Sequence, residues 1–160
     1  MVKRLNIDEL ESWATTQREA SKSIVLANGA FDMLHVGHLR YLQGARAQGD
    51  VLIVAVNSDS SVKKAKGPSR PIIPEDERQE LLEGLSCVDY TVRFSESKVD
   101  RVLRAVLPDV HAKGSDYTVE TVPEAALVRE LGGRVVIVGD PKDHSTTELV
   151  ERLGRDKPEE

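Results

Sequence analysis

Short apolar runs rich in β-branched residues alternate with segments of helical periodicity along this chain of 160 residues, and no other feature constrains its fold as strongly. Such alternation favours a parallel sheet, because each helix returns the chain to the edge where the next strand begins. We predict five strands from these runs, over residues 23–27, 51–56, 90–93, 110–113 and 134–138.

Capping and stop signals bound the intervening helices. Asn6 and Glu9 are spaced as a capping box ahead of an amphipathic N-terminal helix, in which Leu10, Trp13 and Gln17 share one side. Residues 58–72 are predicted to be a long connection without a helix. The other predicted helices cover residues 38–47, 75–85, 97–107, 121–131 and 145–153.

These elements predict the α/β class, with a single Rossmann-like, doubly wound domain built on a five-stranded parallel sheet. The domain covers residues 23–153, residues 1–22 form an N-terminal helix packed on it, and residues 154–160 form a charged tail. No internal repeat and no linker rich in Gly, Ser or Pro divides the chain. In such sheets the ligand lies beyond the carboxyl ends of the strands.

Composition excludes several classes of function. The net charge of -5, from 22 Lys and Arg against 27 Asp and Glu, predicts no general attraction to nucleic acid or to an anionic membrane. No apolar run has the length of a membrane span, and the N-terminus lacks the apolar core of a signal peptide, so we expect a cytoplasmic protein. The dinucleotide-binding and P-loop glycine patterns are also missing from the sequence.

Residues 28–38, with the sequence NGAFDMLHVGH, follow the first predicted strand and open a helix. Gly29 and Gly37 let a ligand approach the backbone closely, and the amides at the start of a helix attract phosphate. His35 and His38 are three residues apart, so both imidazoles can face the same phosphoryl oxygens. This arrangement predicts nucleotidyl transfer.

Two alternative roles exist for these histidines. Each could be a core residue with a structural role, although two of the four histidines in the chain flank one glycine here. Zinc binding is the second alternative, but the spacing is not His-Glu-x-x-His and no cluster of cysteines completes a tetrahedral set. The only cysteine, Cys87, is interpreted as a small apolar core residue.

The segment resembles the H-x-G-H signature of the cytidylyltransferase-like nucleotidyltransferase superfamily. Further segments are similar to one branch of it, the adenylyltransferase half of the ADP-heptose synthase proteins. Those segments are DVLIVAVNSD (50–59), KGPSRP (66–71), VDY (88–90), LPD (107–109), KGSDY (113–117) and STT (145–147).

The resemblance implies adenylyl transfer from ATP to D-glycero-β-D-manno-heptose 1-phosphate, with release of pyrophosphate. Mg²⁺ is implied as a cofactor carried mainly by the ATP phosphates, with no metal site in the protein. The chain is expected to be too short to include the sugar kinase fused in some relatives, so a separate heptose kinase would act upstream. Cell-surface glycan assembly is the implied destination of the product. The oligomeric state stays open, with a homodimer as one alternative.

The resemblance also implies roles for individual residues. His35, His38 and Lys66 are the catalytic candidates, with Lys64 as a second choice for the lysine that binds the leaving phosphates. A solvated charge run is the alternative for these lysines. Asp32 orients its loop or reaches the metal through water, with a structural role at the helix entry as the alternative. Arg78 either forms a surface ion pair or binds phosphate. The nucleotide-binding candidates are Gly29, Ala30, Phe31, Asp32, Gly37, Lys64, Arg78, Gly114, Asp116, Ser145 and Thr146.

Two alternative functions are compatible with part of these motifs. A cytidylyltransferase for glycerol 3-phosphate is similar in the first motif and in Ser-Thr-Thr, but it usually has an arginine where Asp140 stands. A nucleotide sensor without turnover would keep the fold, although intact His35, His38 and Lys66 argue against it.

Overall fold

The structure, a computed structural model, describes residues 3–141 and 146–155. Its centre is a single sheet of six parallel strands in the order β1-β4-β3-β2-β5-β6. The strands are β1 (Arg4–Leu5), β2 (Ile24–Gly29), β3 (Val51–Asn57), β4 (Tyr90–Phe94), β5 (Val110–Lys113) and β6 (Arg134–Ile137).

The prediction of five strands was wrong in number. Strand β1 lies at the edge of the sheet, where Arg4 pairs with Thr91 and Leu5 with Val92. A run of two residues contains too few positions to show any periodicity, so no local pattern indicates this strand. The other five strands lie within two residues of their predicted bounds.

Helices cover both faces of the sheet. They are α1 (Leu10–Glu19), α2 (Val36–Arg46), α3 (Asp59–Lys66), α4 (Glu75–Glu83), α5 (Asp100–Val106), α6 (Ala125–Glu130) and α7 (Thr146–Arg155). A short 3-10 turn (Ile7–Glu9) precedes α1. The capping interaction predicted there is confirmed, because the backbone N–H of Asn6 donates to the Glu9 carboxylate at 2.8 Å.

Helix α3 corrects the prediction of a long connection over residues 58–72. Ser58 caps its N-terminus by accepting a hydrogen bond from the backbone N–H of Ser61 at 3.3 Å. Only Val62 provides a buried apolar side chain, so the helix shows little of the apolar periodicity on which the prediction depended. Its consequence is that Lys66 stands at a helix end and not in an irregular loop.

Two apolar cores, one on each face, explain why the central strands are apolar at nearly every position. Alternate residues of β2 divide between them: Ile24 and Leu26 pack towards α1 and α5, whereas Val25 and Ala27 pack towards α2. Strands buried on both faces are typical of parallel sheets. Among the described residues no helix is long and apolar enough to cross a membrane.

The order in which the chain adds strands to the sheet reverses at β2. Strand β3 lies on one side of β2, and β5 lies on the other. A crevice therefore opens beyond the carboxyl ends of β2 and β5, which is where doubly wound sheets bind their ligands. The predicted bounds of the domain, 23–153, remain a prediction, and residues 156–160 of the predicted tail lie outside the described residues.

Candidate active site

A cleft of about 480 Å³ lies at this switch point. The loops that follow β2, β5 and β6 form its walls, together with the first turns of α2 and α7 and the end of α3. It brings together most of the site residues predicted from the sequence: Gly29, Ala30, Phe31, Asp32, His35, Gly37, His38, Lys66, Gly114 and Asp116.

The other four predicted residues divide into two pairs. Lys64 and Arg78 do not line the cleft. Ser145 lies outside the described residues, and Thr146 is described only as the first residue of α7. Thr147, which follows it, does line the cleft.

The two histidines cap helix α2 reciprocally. Nδ1 of His35 accepts hydrogen bonds from the backbone N–H groups of Gly37 and His38 at 3.1 and 3.4 Å. Nδ1 of His38 in turn accepts from the backbone N–H of His35 at 3.3 Å. The imidazole rings stack with their centroids 3.8 Å apart. The backbone thus fixes the orientation of both rings.

This capping also sets where each ring carries its proton. An Nδ1 atom that accepts a hydrogen bond has no proton, so each neutral imidazole carries it on Nε2. Burial lowers the pKa of His38 to about 4, and the nearby His35 and Lys66 contribute in the same direction. His38 is therefore a neutral hydrogen-bond donor at pH 7, with its single N–H on Nε2.

The loop after β2 holds an unusual backbone conformation. Phe31 has a φ of 51°, in the left-handed region that non-glycine residues rarely adopt. Its ring lies edge-on to His38, with the centroids 5.4 Å apart. A Cβ atom at Gly29 would come within 3.2 Å of that ring. A side chain at position 29 would therefore force the Phe31 ring, and with it the contact to His38, to shift by a few tenths of an ångström.

Asp32 anchors a neighbouring loop instead of pointing freely into the cleft. Its carboxylate accepts hydrogen bonds from the backbone N–H groups of Ile72 and Ile73 at 2.9 and 3.0 Å, and from Nε of Arg70 at 2.8 Å. Burial raises the pKa of Asp32, but these hydrogen bonds outweigh burial and leave it below its ordinary value. Asp32 therefore has a structural role towards the loop at residues 70–73, and its predicted contact with the metal through water stays a prediction.

Lys63, Lys64 and Lys66 are all exposed on α3, but of the three only Lys66, at the end of the helix, lines the cleft. Partial burial and the positive charge of Arg70 lower the pKa of Lys66. An ammonium group in a partly desolvated, positive environment gains more from a bound anion than one in water. This contrast favours Lys66 over Lys64 as the ligand of phosphate.

Arg78 is fully buried below the cleft. Its guanidinium donates to the carbonyl oxygens of Ala30, Ile73 and Asn57, and to the Asp59 carboxylate at 2.8 Å. These contacts join the loop after β2 to the end of β3, the start of α3 and the segment just before α4. The structure thus gives Arg78 the role of a structural cross-link, and it does not present the side chain to a phosphate.

The cleft contains a second lysine that was not predicted from the sequence. Lys113 ends β5, and its Nζ lies 3.1 Å from the Glu124 carboxylate, 3.3 Å from Oδ1 of Asn28 and 4.9 Å from the centroid of the Tyr117 ring. The segment KGSDY begins with Lys113, but only its later residues were predicted to bind the nucleotide. The sequence offered one signal for Lys113: a charged residue at the carboxyl end of a predicted strand, where such sheets bind their ligands.

The loop after β6 closes the far wall. The Asp140 carboxylate pairs with Arg40 of α2, and the hydroxyl of Ser115 donates to the backbone carbonyl of Asp140.

Within residues 3–141 and 146–155, no group of three His, Cys, Asp or Glu side chains is placed to hold a metal ion.

The chain matches the model of the cytidylyltransferase-like family over residues 26–152. The bifunctional protein HldE of Syntrophotalea carbinolica is 44% identical over 146 residues, which are 91% of this chain and 30% of that protein. HldE of Pseudomonas fluorescens SBW25 is 46% identical over 149 residues, 93% of this chain and 31% of that protein. The chain spans about a third of the length of these relatives.

Solved structures agree with the architecture. The lipopolysaccharide core biosynthesis protein of Thermoplasma volcanium GSS1 superposes with a TM-score of 0.65 at 30% identity, covering 76% of this chain and 99% of that one. Pantoate-beta-alanine ligase of Francisella tularensis superposes with a TM-score of 0.68 over 99% of this chain and 74% of its own. At 15% identity, the second likeness concerns the fold alone.

Proposed function

Because this chain belongs to the cytidylyltransferase-like family, we propose that it transfers AMP from ATP to D-glycero-β-D-manno-heptose 1-phosphate and releases pyrophosphate. The observation that carries this proposal is the pair His35 and His38, whose rings the backbone of α2 holds in one orientation within the cleft. The product is ADP-heptose.

The bond changes of this reaction balance without an acid or a base from the protein. A phosphate oxygen of the sugar phosphate attacks the α-phosphorus of ATP and forms the new P–O bond. The bond from the α-phosphorus to the bridging oxygen breaks, and its electron pair leaves with pyrophosphate. Since the attacking phosphate is already an anion at neutral pH, no proton has to be removed from it. The protein must align the groups and stabilise the growing negative charge.

His35 and His38 supply that stabilisation by donating their Nε2–H groups to oxygens of the α- and β-phosphates. Neutral donors fixed by the backbone need no reorganisation during the reaction, and such donors contribute most where water is excluded. Lys66 adds a positive charge at the leaving pyrophosphate. The backbone amides of Gly29, Ala30 and Phe31 provide further donors to phosphate.

Other groups of the cleft hold the remainder of the nucleotide. Asp116 and the backbone at Gly114 recognise the base or the ribose. Ser145 and Thr146, which the family resemblance assigns to the nucleotide, remain proposed ligands. Mg²⁺ neutralises charge on the triphosphate. The donors near the phosphates are imidazole, ammonium and amide groups, and the Asp32 carboxylate is engaged with the loop at residues 70–73. This set fits an ion that arrives on the nucleotide and keeps several of its waters.

The substrates and the cellular role rest on the relatives. HldE of Azotobacter vinelandii is 48% identical to this chain over 134 residues, and the protein named for lipopolysaccharide core biosynthesis is similar over nearly its full length. The proposed reaction takes place in the cytoplasm and supplies activated heptose for cell-surface glycans. A kinase that phosphorylates the anomeric hydroxyl of heptose must precede it.

Pyrophosphate release identifies the reaction directly. The purified protein is incubated with Mg²⁺, one of four nucleoside triphosphates and one of several acceptors: heptose 1-phosphate, glucose 1-phosphate, glycerol 3-phosphate and phosphocholine. The proposal predicts the fastest release with ATP and heptose 1-phosphate, with ADP-heptose found by mass spectrometry. Fastest release with CTP and glycerol 3-phosphate would replace it with a cytidylyltransferase, and no release from any pair would indicate a nucleotide sensor.

A further inference from the structure

Lys113 carries a positive charge in the cleft to which the proposed mechanism assigns no role. Its side chain is only 10% exposed, although it ends a strand at the rim of the sheet. Two oxygen atoms hold the ammonium group, one from Glu124 at 3.1 Å and one from Asn28 at 3.3 Å. Asn28 lies near the carboxyl end of β2, just before the loop that leads to the two catalytic histidines. Lys113 is thus fixed beside the reacting centre.

A buried pair of side chains stands behind Lys113. His111 is fully buried on β5, and its Nε2 lies 2.7 Å from the same Glu124 oxygen that contacts Lys113. A carboxylate only accepts hydrogen bonds, so His111 carries its proton on Nε2, and its buried Nδ1 has no hydrogen-bond partner within the described residues. Burial raises the pKa of Glu124, but the hydrogen bond from His111 and the charge of Lys113 outweigh burial and leave it at about 2.

The buried charges of Lys113 and Glu124 are not expected to contribute much to the stability of the fold. Removing two charges from water costs about as much as their attraction returns, and apolar side chains of similar size often serve a fold better. Lysine is also the most flexible of the cations, and a free lysine loses entropy whenever it binds. A carboxylate held by His111 removes that disadvantage, because it keeps the ammonium of Lys113 in one place before a substrate arrives.

The topology indicates which substrate Lys113 meets. Attacking and leaving oxygens stand in line on opposite sides of the phosphorus during phosphoryl and nucleotidyl transfer. Lys66 comes from the helix after β3 and Lys113 from the end of β5, and these strands flank β2 on opposite sides. If Lys66 faces the leaving pyrophosphate, Lys113 stands on the side from which the attacking phosphate enters.

We propose that Lys113 binds the phosphate group of the acceptor, and that Glu124 and His111 are positioning residues that hold Lys113 for this contact. The inference rests on the proposed function for the identity of the acceptor. It separates the two lysines of the cleft by substrate, with Lys66 serving the nucleotide and Lys113 serving the sugar phosphate.

Steady-state kinetics of matched variants test this division. Lys113→Met keeps the aliphatic stem and removes the charge, and it should raise KM for heptose 1-phosphate about 10- to 100-fold, the effect of one lost hydrogen bond between charged groups. KM for ATP should stay within about threefold, because the proposed role of Lys113 includes no hydrogen bond to ATP that the substitution would remove. Lys66→Met should show the opposite division. A rise in KM for ATP alone in Lys113→Met would overturn the inference.

Glu124→Gln tests the positioning role. It should raise KM for the acceptor and leave kcat nearly unchanged, and the double variant with Lys113→Met should be no worse than Lys113→Met alone, because Glu124 acts only through Lys113. The double variant also removes both buried charges, so it remains informative if Glu124→Gln alone does not fold. The positioning role would be contradicted if Glu124→Gln lowered Tm but left KM for the acceptor unchanged. It would also be contradicted if the double variant raised KM further than Lys113→Met alone, because Glu124 would then act independently of Lys113.

Calorimetry separates failure of the inference from failure of the proposed function. If the wild type does not use heptose 1-phosphate, inorganic phosphate is titrated into the protein saturated with a non-hydrolysable ATP analogue. Binding that Lys113→Met weakens at least about tenfold, while Lys66→Met leaves it intact, supports the inference. Equal weakening by both variants, or no binding to the wild type, overturns it.

Discussion

Replacing His35 removes two contributions at once, because its imidazole both caps α2 and lies in the cleft. The cap is worth about 1 kcal/mol of folding free energy, as for other N-caps replaced by alanine. In a domain of this size, that lowers Tm by about 2–4 °C. The loss of one fixed donor to the transition state costs about 3 kcal/mol more in activation free energy, which is a factor of about 100 to 1,000 in kcat.

Two substitutions separate these contributions. His35→Ala should lose both the cap and the turnover. His35→Asn should keep Tm close to that of the wild type, because asparagine is among the best N-capping residues and its Oδ1 can accept from Gly37 and His38. Its turnover should still fall at least about 100-fold, since its shorter amide does not reach the position of the imidazole Nε2–H.

Differential scanning fluorimetry gives Tm, and a coupled pyrophosphate assay at saturating ATP and heptose 1-phosphate gives kcat. His38→Ala serves as a parallel variant and should lose kcat to a similar extent. If either alanine variant kept turnover within about tenfold of the wild type, the assignment of the histidines to the transition state would be wrong. Equal Tm losses in His35→Ala and His35→Asn would contradict the capping role.

Three further perturbations follow from the contacts around the cleft. Lys66→Ala should raise KM for ATP and lower kcat, whereas Lys63→Ala should barely change either; small, equal effects would indicate a solvated helix face. Because burial holds the pKa of His38 at about 4, the free energy of unfolding should decrease as pH falls from 6.5 towards 4, and a His38→Asn variant that follows the same Tm curve would refute this. Asp32→Ala should lower the free energy of unfolding in urea by about 3 kcal/mol, against little change for the exposed Asp8→Ala.

The predictable part of the fold is the part with enough residues to show a period. Strands β2 to β6 are runs of four to seven mostly apolar residues, and each was predicted within two residues of its ends. The two missed elements are short or polar. Strand β1 (Arg4–Leu5) depends on its pairing with β4, and α3 (Asp59–Lys66) depends on the cap from Ser58. The pairing of β1 is a tertiary contact, whereas the Ser58 cap is a local polar signal that the search for apolar periodicity does not use.

The candidate site divides in the same way. Residues of the loop after β2 lie in the cleft as predicted, because one local motif holds the strand end, the glycines and the helix start together. Arg78 shows the limit. Its Glu-Asp-Glu-Arg segment is typical of a solvated helix surface, yet the side chain is fully buried. It donates to the carbonyl oxygen of Ile73, five residues before it, and to those of Ala30 and Asn57, which are distant in sequence.

The pairing of His111 with Glu124 could not be predicted from the sequence either. The two residues are 13 positions apart, one on a strand and one ahead of a helix, so no helical or strand periodicity relates them. Only the packing of α6 beside the sheet brings the carboxylate to the imidazole and to Lys113. Long-range polar pairs of this kind require the tertiary structure, whereas helix caps and apolar runs do not.

The choice of nucleotide is the sharpest test of the proposed adenylyl transfer. The measurement compares kcat/KM for ATP with kcat/KM for CTP, each with heptose 1-phosphate and Mg²⁺ in the same pyrophosphate assay, and CTP with glycerol 3-phosphate is assayed beside them. A site whose buried polar groups are paired with one base leaves one or two of them without a hydrogen-bond partner when another base binds. We therefore predict that kcat/KM for ATP exceeds that for CTP by about a hundredfold or more. Comparable or faster turnover of CTP with glycerol 3-phosphate would contradict this function.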